Sequence, residues 1–187
     1  MKRLATVTAL ASLLAAPVAS AEGWTFLAGT KEGYTAEPAV SLMLGQMSPD
    51  SGNASASSIA GLELSLNCPL LQPPSNRIRQ QVSLTRYDDS GFKMTNIEIN
   101  PHYIVEVAPG LEVGGGPGLG YIITDGKDKN PGLFGLQLGL SAHYTGKGPF
   151  FVGAEWRYQF TTEGDFGADG KTDLNNSRVA LKLGYAL

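Results

Sequence analysis

The chain has 187 residues, of which 17% are charged, and a formal net charge of −3. That acidic balance lacks the basic footprint a nucleic-acid backbone requires, which excludes nucleic acid as a partner. One cysteine, Cys68, excludes an intramolecular disulfide, and with only two histidines there are too few soft ligands for a zinc site. Low charge, 24 glycines and no long apolar run fit a β-barrel that meets lipid on its outer face.

The N-terminus reads as an export signal. Lys2 and Arg3 precede a nearly apolar stretch over 4–18, and Ala19-Ser20-Ala21 supplies the small-x-small cleavage pattern. The stretch is too short for a membrane-spanning helix, which wants about 20 residues. A lipid anchor would need a cysteine at the cleavage point, and none stands there. The expected division is a signal peptide over 1–21 and a barrel domain over 22–187, the latter with 12 basic against 17 acidic side chains. Residues 24–34, with Trp24, Phe26 and Tyr34, fit no strand cleanly. An extension of the first strand, a periplasmic cap and a further hairpin all remain open.

Beyond residue 38 a period of two dominates, which predicts strands. The predicted strands are 38–47, 59–68, 77–87, 96–107, 111–123, 133–145, 150–161 and a last one at 178–187. In that last strand Val179, Leu181, Leu183, Tyr185 and Leu187 share one face, against Arg178, Ala180, Lys182, Gly184 and Ala186. In 111–123, Leu119, Tyr121 and Ile123 oppose the row Gly114, Gly116, Gly118 and Gly120. Eight is an even number, as single-chain barrels require, and about 10 residues suffice for a tilted strand to cross the hydrocarbon. With the N-terminus in the periplasm, turns at 69–76, 108–110 and 146–149 face inward. Loops at 48–58, 88–91, 124–132 and 162–176 then face the cell exterior. The predicted fold is an all-β, eight-stranded, antiparallel up-and-down transmembrane β-barrel.

Alternation alone does not say which face is buried, because a soluble barrel or sandwich shows the same period. Side-chain type decides. An inward apolar face would put the glycine row on the surface with almost no charge around it. An outward apolar face leaves small residues and balanced charges to fill a narrow lumen. The interior set is Glu63, Glu98, Glu106, Glu112 and Glu155 against Arg77, Arg79, Arg157, Arg178 and Lys182, five facing five. Buried charges persist only when paired. Tyr121, Phe134, Tyr158 and Phe160 lie near the outer strand ends, and Tyr144, Phe150 and Tyr185 near the inner ends, as two interfacial girdles.

The closing run Leu181-Lys182-Leu183-Gly184-Tyr185-Ala186-Leu187 resembles the last strand of the OmpA/OmpX and opacity-protein barrels, with Leu187 where those usually end in an aromatic residue. Val113-Gly114-Gly115-Gly116-Pro117-Gly118-Leu119-Gly120-Tyr121 is similar to a mid-barrel strand of the same group. The resemblance implies an outer-membrane location, lipid and lipopolysaccharide as surroundings, and the barrel-assembly machinery as a partner during biogenesis.

Chemistry is sparse. His143-Tyr144-Thr145 followed by Glu155 resembles the hydrolytic triad of lipid A deacylases, but Thr145 replaces serine, the spacing differs and the residues fall on the lumen face. We therefore expect no enzyme and no cofactor, with His143, Glu155 and His102 in the interior polar network. Asp125, Asp128, Asp165, Asp169 and Asp173 are solvated loop acids without an EF-hand register. Arg86 and Lys93 lie near the outer membrane edge, within reach of lipopolysaccharide phosphates; snorkelling surface side chains are the simpler reading. The primary expectation is a non-enzymatic barrel with a filled lumen, acting structurally or through surface contacts of its loops. The alternative is a binding or adhesion module built on 48–58 and 162–176.

Overall fold

A computed structural model describes residues 23–50, 56–75, 77–89, 91–125, 129–167 and 170–187. The signal peptide over 1–21, Asp128 and Asp169 lie outside the described residues. Eight strands form one closed antiparallel barrel: β1 (Ala39–Pro49), β2 (Ser57–Asn67), β3 (Ile78–Asp89), β4 (Phe92–Ala108), β5 (Leu111–Asp125), β6 (Gly132–Thr145), β7 (Phe150–Thr161) and β8 (Asn176–Ala186). Each strand pairs with its neighbour in sequence, and β8 returns to β1 with Ala186 opposite Ala39 and Asn176 opposite Pro49. Closure leaves the barrel without an edge strand. Strand β4 begins at Phe92 rather than at 96, which shortens the β3–β4 connection, and Gly91 takes φ 89°.

The polarity is inside-out. Outward positions carry exposed apolar side chains, among them Leu62 at 63% and Leu181 at 67% exposure. The alternate positions are buried and mostly polar: Ser41, Glu63, Gln81, Ser83, Asn96, Glu98, Gln137, Glu155, Arg157, Arg178 and Lys182. The glycine row of β5 lies on the inward face, with Gly116, Gly118 and Gly120 buried. A β-carbon added at Gly120 would meet the amides of Gln137 and Gln159 at 2.7 Å. One wall without side chains is thus what makes room for long polar side chains from the others.

The wall has one weak seam. The β4–β5 ladder runs from Lys93–Asp125 to Ile99–Leu119 and resumes at Tyr103–Gly115. In that register Pro101 and Pro117 lie directly opposite each other. Neither has an N–H to donate, and the ladder is open between them. Each missing bond is worth about 1 kcal/mol net. Amides at 100, 102, 116 and 118 should therefore exchange with solvent roughly fivefold faster than those at 96–99 and 119–122. Residue-resolved hydrogen exchange in detergent micelles tests this, and uniform protection along both strands would refute it.

Candidate functional site

The strands bring three layers of inward side chains together along the lumen. In the middle layer, Arg157 on β7 is 1% exposed and reaches across the barrel. It donates from Nη2 to Glu155 Oε2 at 2.8 Å, Glu63 Oε2 at 3.2 Å and Gln81 Oε1 at 2.9 Å. Its Nη1 donates to Glu98 Oε2 at 3.1 Å. Lys182 Nζ on β8 lies 2.6 Å from both Glu63 Oε2 and Glu155 Oε2. Arg178 pairs with the other oxygen of Glu98, which also accepts from Gln137 Nε2 at 2.7 Å. Ser83 Oγ donates to Glu98 Oε2 at 2.9 Å. Three carboxylates and three cations from β2, β4, β7 and β8 therefore close a neutral cross-brace.

The other four members of the sequence-predicted set stand apart, and this corrects the five-against-five network. Arg77 precedes β3 and is exposed. Arg79 lies at the inner mouth, half-buried, and donates to Glu37 O at 2.9 Å and Ser65 Oγ at 3.1 Å. Glu106 is exposed beside the register shift of β4 and accepts from Gly110 N at 3.2 Å. Glu112 is exposed at the start of β5. All four have the expected alternation or lie next to it. They miss the brace because they sit at the strand ends, beyond the closed part of the lumen.

The outer layer is apolar, which the reading of a polar-filled lumen did not anticipate. Met47, Ile59, Tyr87, Met94, Ile122 and Leu133 point inward at the outer ends of β1–β6, and Phe166 and Leu174 of the β7–β8 loop fold over them. Phe92 packs at the margin, its ring centroid 6.2 Å from that of Phe166. Part of the 162–176 loop is thus a plug rather than free surface. The signal was legible, since Ile59 shares the parity of Glu63 and Ile122 that of Gly120. The plug is held by Leu174 N donating to Thr161 Oγ1 at 2.7 Å and by the Lys129–Asp165 pair at 2.6 Å. Lys129 and the N–H of Gly167 hold the Asp165 carboxyl below its usual range.

The inner layer is open. A cavity of about 360 Å³ is lined by Glu63, Arg79, Glu112, His143, Phe151 and Leu187, among others. His143 makes an edge-to-face contact with Phe151 at 5.7 Å and no hydrogen bond to Thr145 or Glu155 among the described residues. Glu155 is engaged by Arg157 and Lys182, so the residues of a hydrolytic triad are not assembled. His102 is fully buried, with Nδ1 2.9 Å from Ser141 Oγ, in the polar interior where it was expected. Among the described residues, no group of His, Cys, Asp and Glu has the arrangement of a metal site.

No family model matches the chain, and no curated protein matches its sequence. Solved structures do match. Neisserial surface protein A aligns over 89% of this chain and all of its own, with TM-score 0.62 and 15% identity. The N-terminal barrel of Pseudomonas aeruginosa OprF and the Yersinia pestis attachment invasion locus protein Ail each align over 82% of this chain and all of their own. Both have TM-score 0.53, with 13% and 14% identity respectively. The chain has the fold of the small eight-stranded outer-membrane β-barrels. At these identities the likeness concerns the fold.

Removing Arg157 leaves three buried carboxylates to two cations, and breaking one partner of a buried ion pair costs about 3–5 kcal/mol. Arg157→Met should lower the unfolding free energy of the reconstituted barrel, and with it the urea midpoint, accordingly, while Arg77→Met changes that free energy by less than about 0.5 kcal/mol. Equal midpoints for the two variants would remove the brace from the account.

Proposed function

We propose that the protein is an integral outer-membrane barrel, exported by the 1–21 signal, whose closed lumen serves rigidity rather than transport. In this reading its work is structural or lies in surface contacts made by the outer loops. The observation that carries it is the polarity of the wall: exposed leucines, valines and isoleucines surround a lumen of paired ions. In water that arrangement exposes a continuous apolar surface far beyond what a soluble monomer tolerates. In lipid it is the stable one, because the apolar band faces hydrocarbon and every barrel strand has both neighbours. Tyr121 and Phe134 meet at a tilt with centroids 4.9 Å apart near the outer ends, and Phe150 and Tyr185 edge-to-face at 5.1 Å near the inner ends, as interfacial girdles.

The surroundings follow from the same reading. The assembly machinery inserts the barrel, lipid covers its wall, and lipopolysaccharide meets Arg86 and Lys93 at the outer rim. Lys93 lies 3.7 Å from Asp88, an exposed pair that phosphate groups can compete for. Among the described residues, an apolar plug at the outer end and an ionic brace at the centre fill the lumen, which argues against an aqueous path.

Two measurements bear on this reading. Leu181→Arg, at mid-height of β8 and facing out, should destabilise the barrel in bilayers by about 2–4 kcal/mol; a cost near zero would contradict the lipid-facing assignment. In planar bilayers the reconstituted protein should give no stepwise conductance, and regular ion-conducting steps would contradict the sealed lumen.

A further inference from the structure

Resting on the membrane reading above, we propose that residues 23–31 and 68–75 form an external flap that anchors the inner rim of the barrel in the periplasmic leaflet. The two segments are joined by a short ladder, Thr25 opposite Gln72 and Phe26 opposite Leu71. Leu27 N donates to Leu70 O at 2.7 Å, and Gly29 N to Pro69 O at 2.8 Å. The 68–75 turn is fastened to the start of β3 by Gln72, which donates to Cys68 O at 3.2 Å and Ile78 O at 2.7 Å and accepts from Ile78 N at 3.1 Å.

Alternation shows on which side of the wall this flap lies. On β3, Val82 and Leu84 face outward and are exposed, so Ile78 and Gln80 face outward too, yet both are buried. The outward Leu66 of β2 and Pro101 and Tyr103 of β4 are half-buried, and Cys68 is buried, its thiol 3.9 Å from Gln80 Oε1. On the opposite wall at the same end, Tyr144, Phe150 and Tyr185 stand exposed. Over β2–β4 alone, the lipid-facing surface is therefore covered. The cover hides an outward-facing amide, Gln80, whose Nε2 donates to Gln81 O at 3.1 Å and which would be costly to expose to hydrocarbon.

What the flap then presents is apolar. Phe26 is 70% exposed, Leu27 58% and Leu70 61%. Leu27 is held at φ 50°, a left-handed conformation that a residue of this size rarely adopts, and its carbonyl caps the turn through Thr30 N at 2.9 Å. Glycine or asparagine would relax that backbone, but neither would present a large apolar side chain there. Half-buried Trp24 and exposed Lys31 flank Phe26 and Leu27 in sequence. An aromatic residue and a cation beside an apolar tip suit the headgroup boundary. The covered pair Leu66–Gln80 is the next outward-facing pair beyond the exposed Leu64–Val82, so the flap adjoins the band that faces lipid.

The test uses the two natural tryptophans. Protein purified from cell envelopes is reconstituted into phosphatidylcholine vesicles with brominated acyl chains, and heat-shifted migration confirms that each variant is folded. Trp24→Phe leaves Trp156, which faces outward from mid-wall; Phe26→Trp combined with Trp24→Phe and Trp156→Phe places the only indole on the flap. Both probes should lose fluorescence, and the flap probe more strongly with bromines near the ester than with bromines near the chain end. If Trp156 is quenched while the Phe26→Trp probe keeps full intensity and a water-like emission maximum, the flap stands in water or awaits a protein, and the anchor is wrong. If neither is quenched, the membrane reading itself fails.

Discussion

The structure depends on where six charges are kept. A barrel whose wall faces hydrocarbon has one place for ionised groups, and in eight strands that place is too narrow for much water. Glu63, Glu98 and Glu155 are compatible with burial because Arg157, Arg178 and Lys182 meet them inside the lumen. Desolvating an isolated ion costs several kcal/mol, and here each carboxylate is shared between two cations. The brace also ties β7 and β8 to β2 and β4 across the lumen, so it acts on the closed barrel as a whole rather than on one strand pair.

Other features follow from that constraint. A guanidinium spanning the lumen needs space, and the side-chain-free face of β5 provides it. The apolar plug at the outer end keeps bulk water from competing for the brace from one side. At the inner end Arg79, Glu112 and His143 line an open cavity of about 360 Å³. A single chain thus carries an apolar outer third, an ionic centre and an open inner third.

Much of this was legible in the residues. Strict alternation in β6, β7 and β8 identified the strands to within one or two positions, because a period of two with leucine and aromatic residues on one side has few other readings. The choice between an inward and an outward apolar face followed from Gly114–Gly120, a row that no soluble surface would carry. Membership of the brace was legible only at mid-strand. Parity names a face but not a height, so Glu106 and Glu112 at the strand ends looked equivalent to Glu98 at the centre. Folding of Phe166 and Leu174 into the outer mouth, and of 23–31 onto the 68–75 turn, depends on tertiary packing that no local period encodes. For 24–34 an extension of the first strand, a periplasmic cap and a further hairpin were all open, and residues 25–26 pair instead with 71–72 in a short ladder.

The central claim is that lipid, not protein or water, covers the outward leucines. Fractionation of cell envelopes, followed by electrophoresis of unboiled and boiled samples in mild detergent, tests it most directly. The account predicts recovery with outer membranes after a urea wash and a compact, faster-migrating band that disappears on boiling. Recovery as a detergent-free, monodisperse species in the soluble fraction would contradict it.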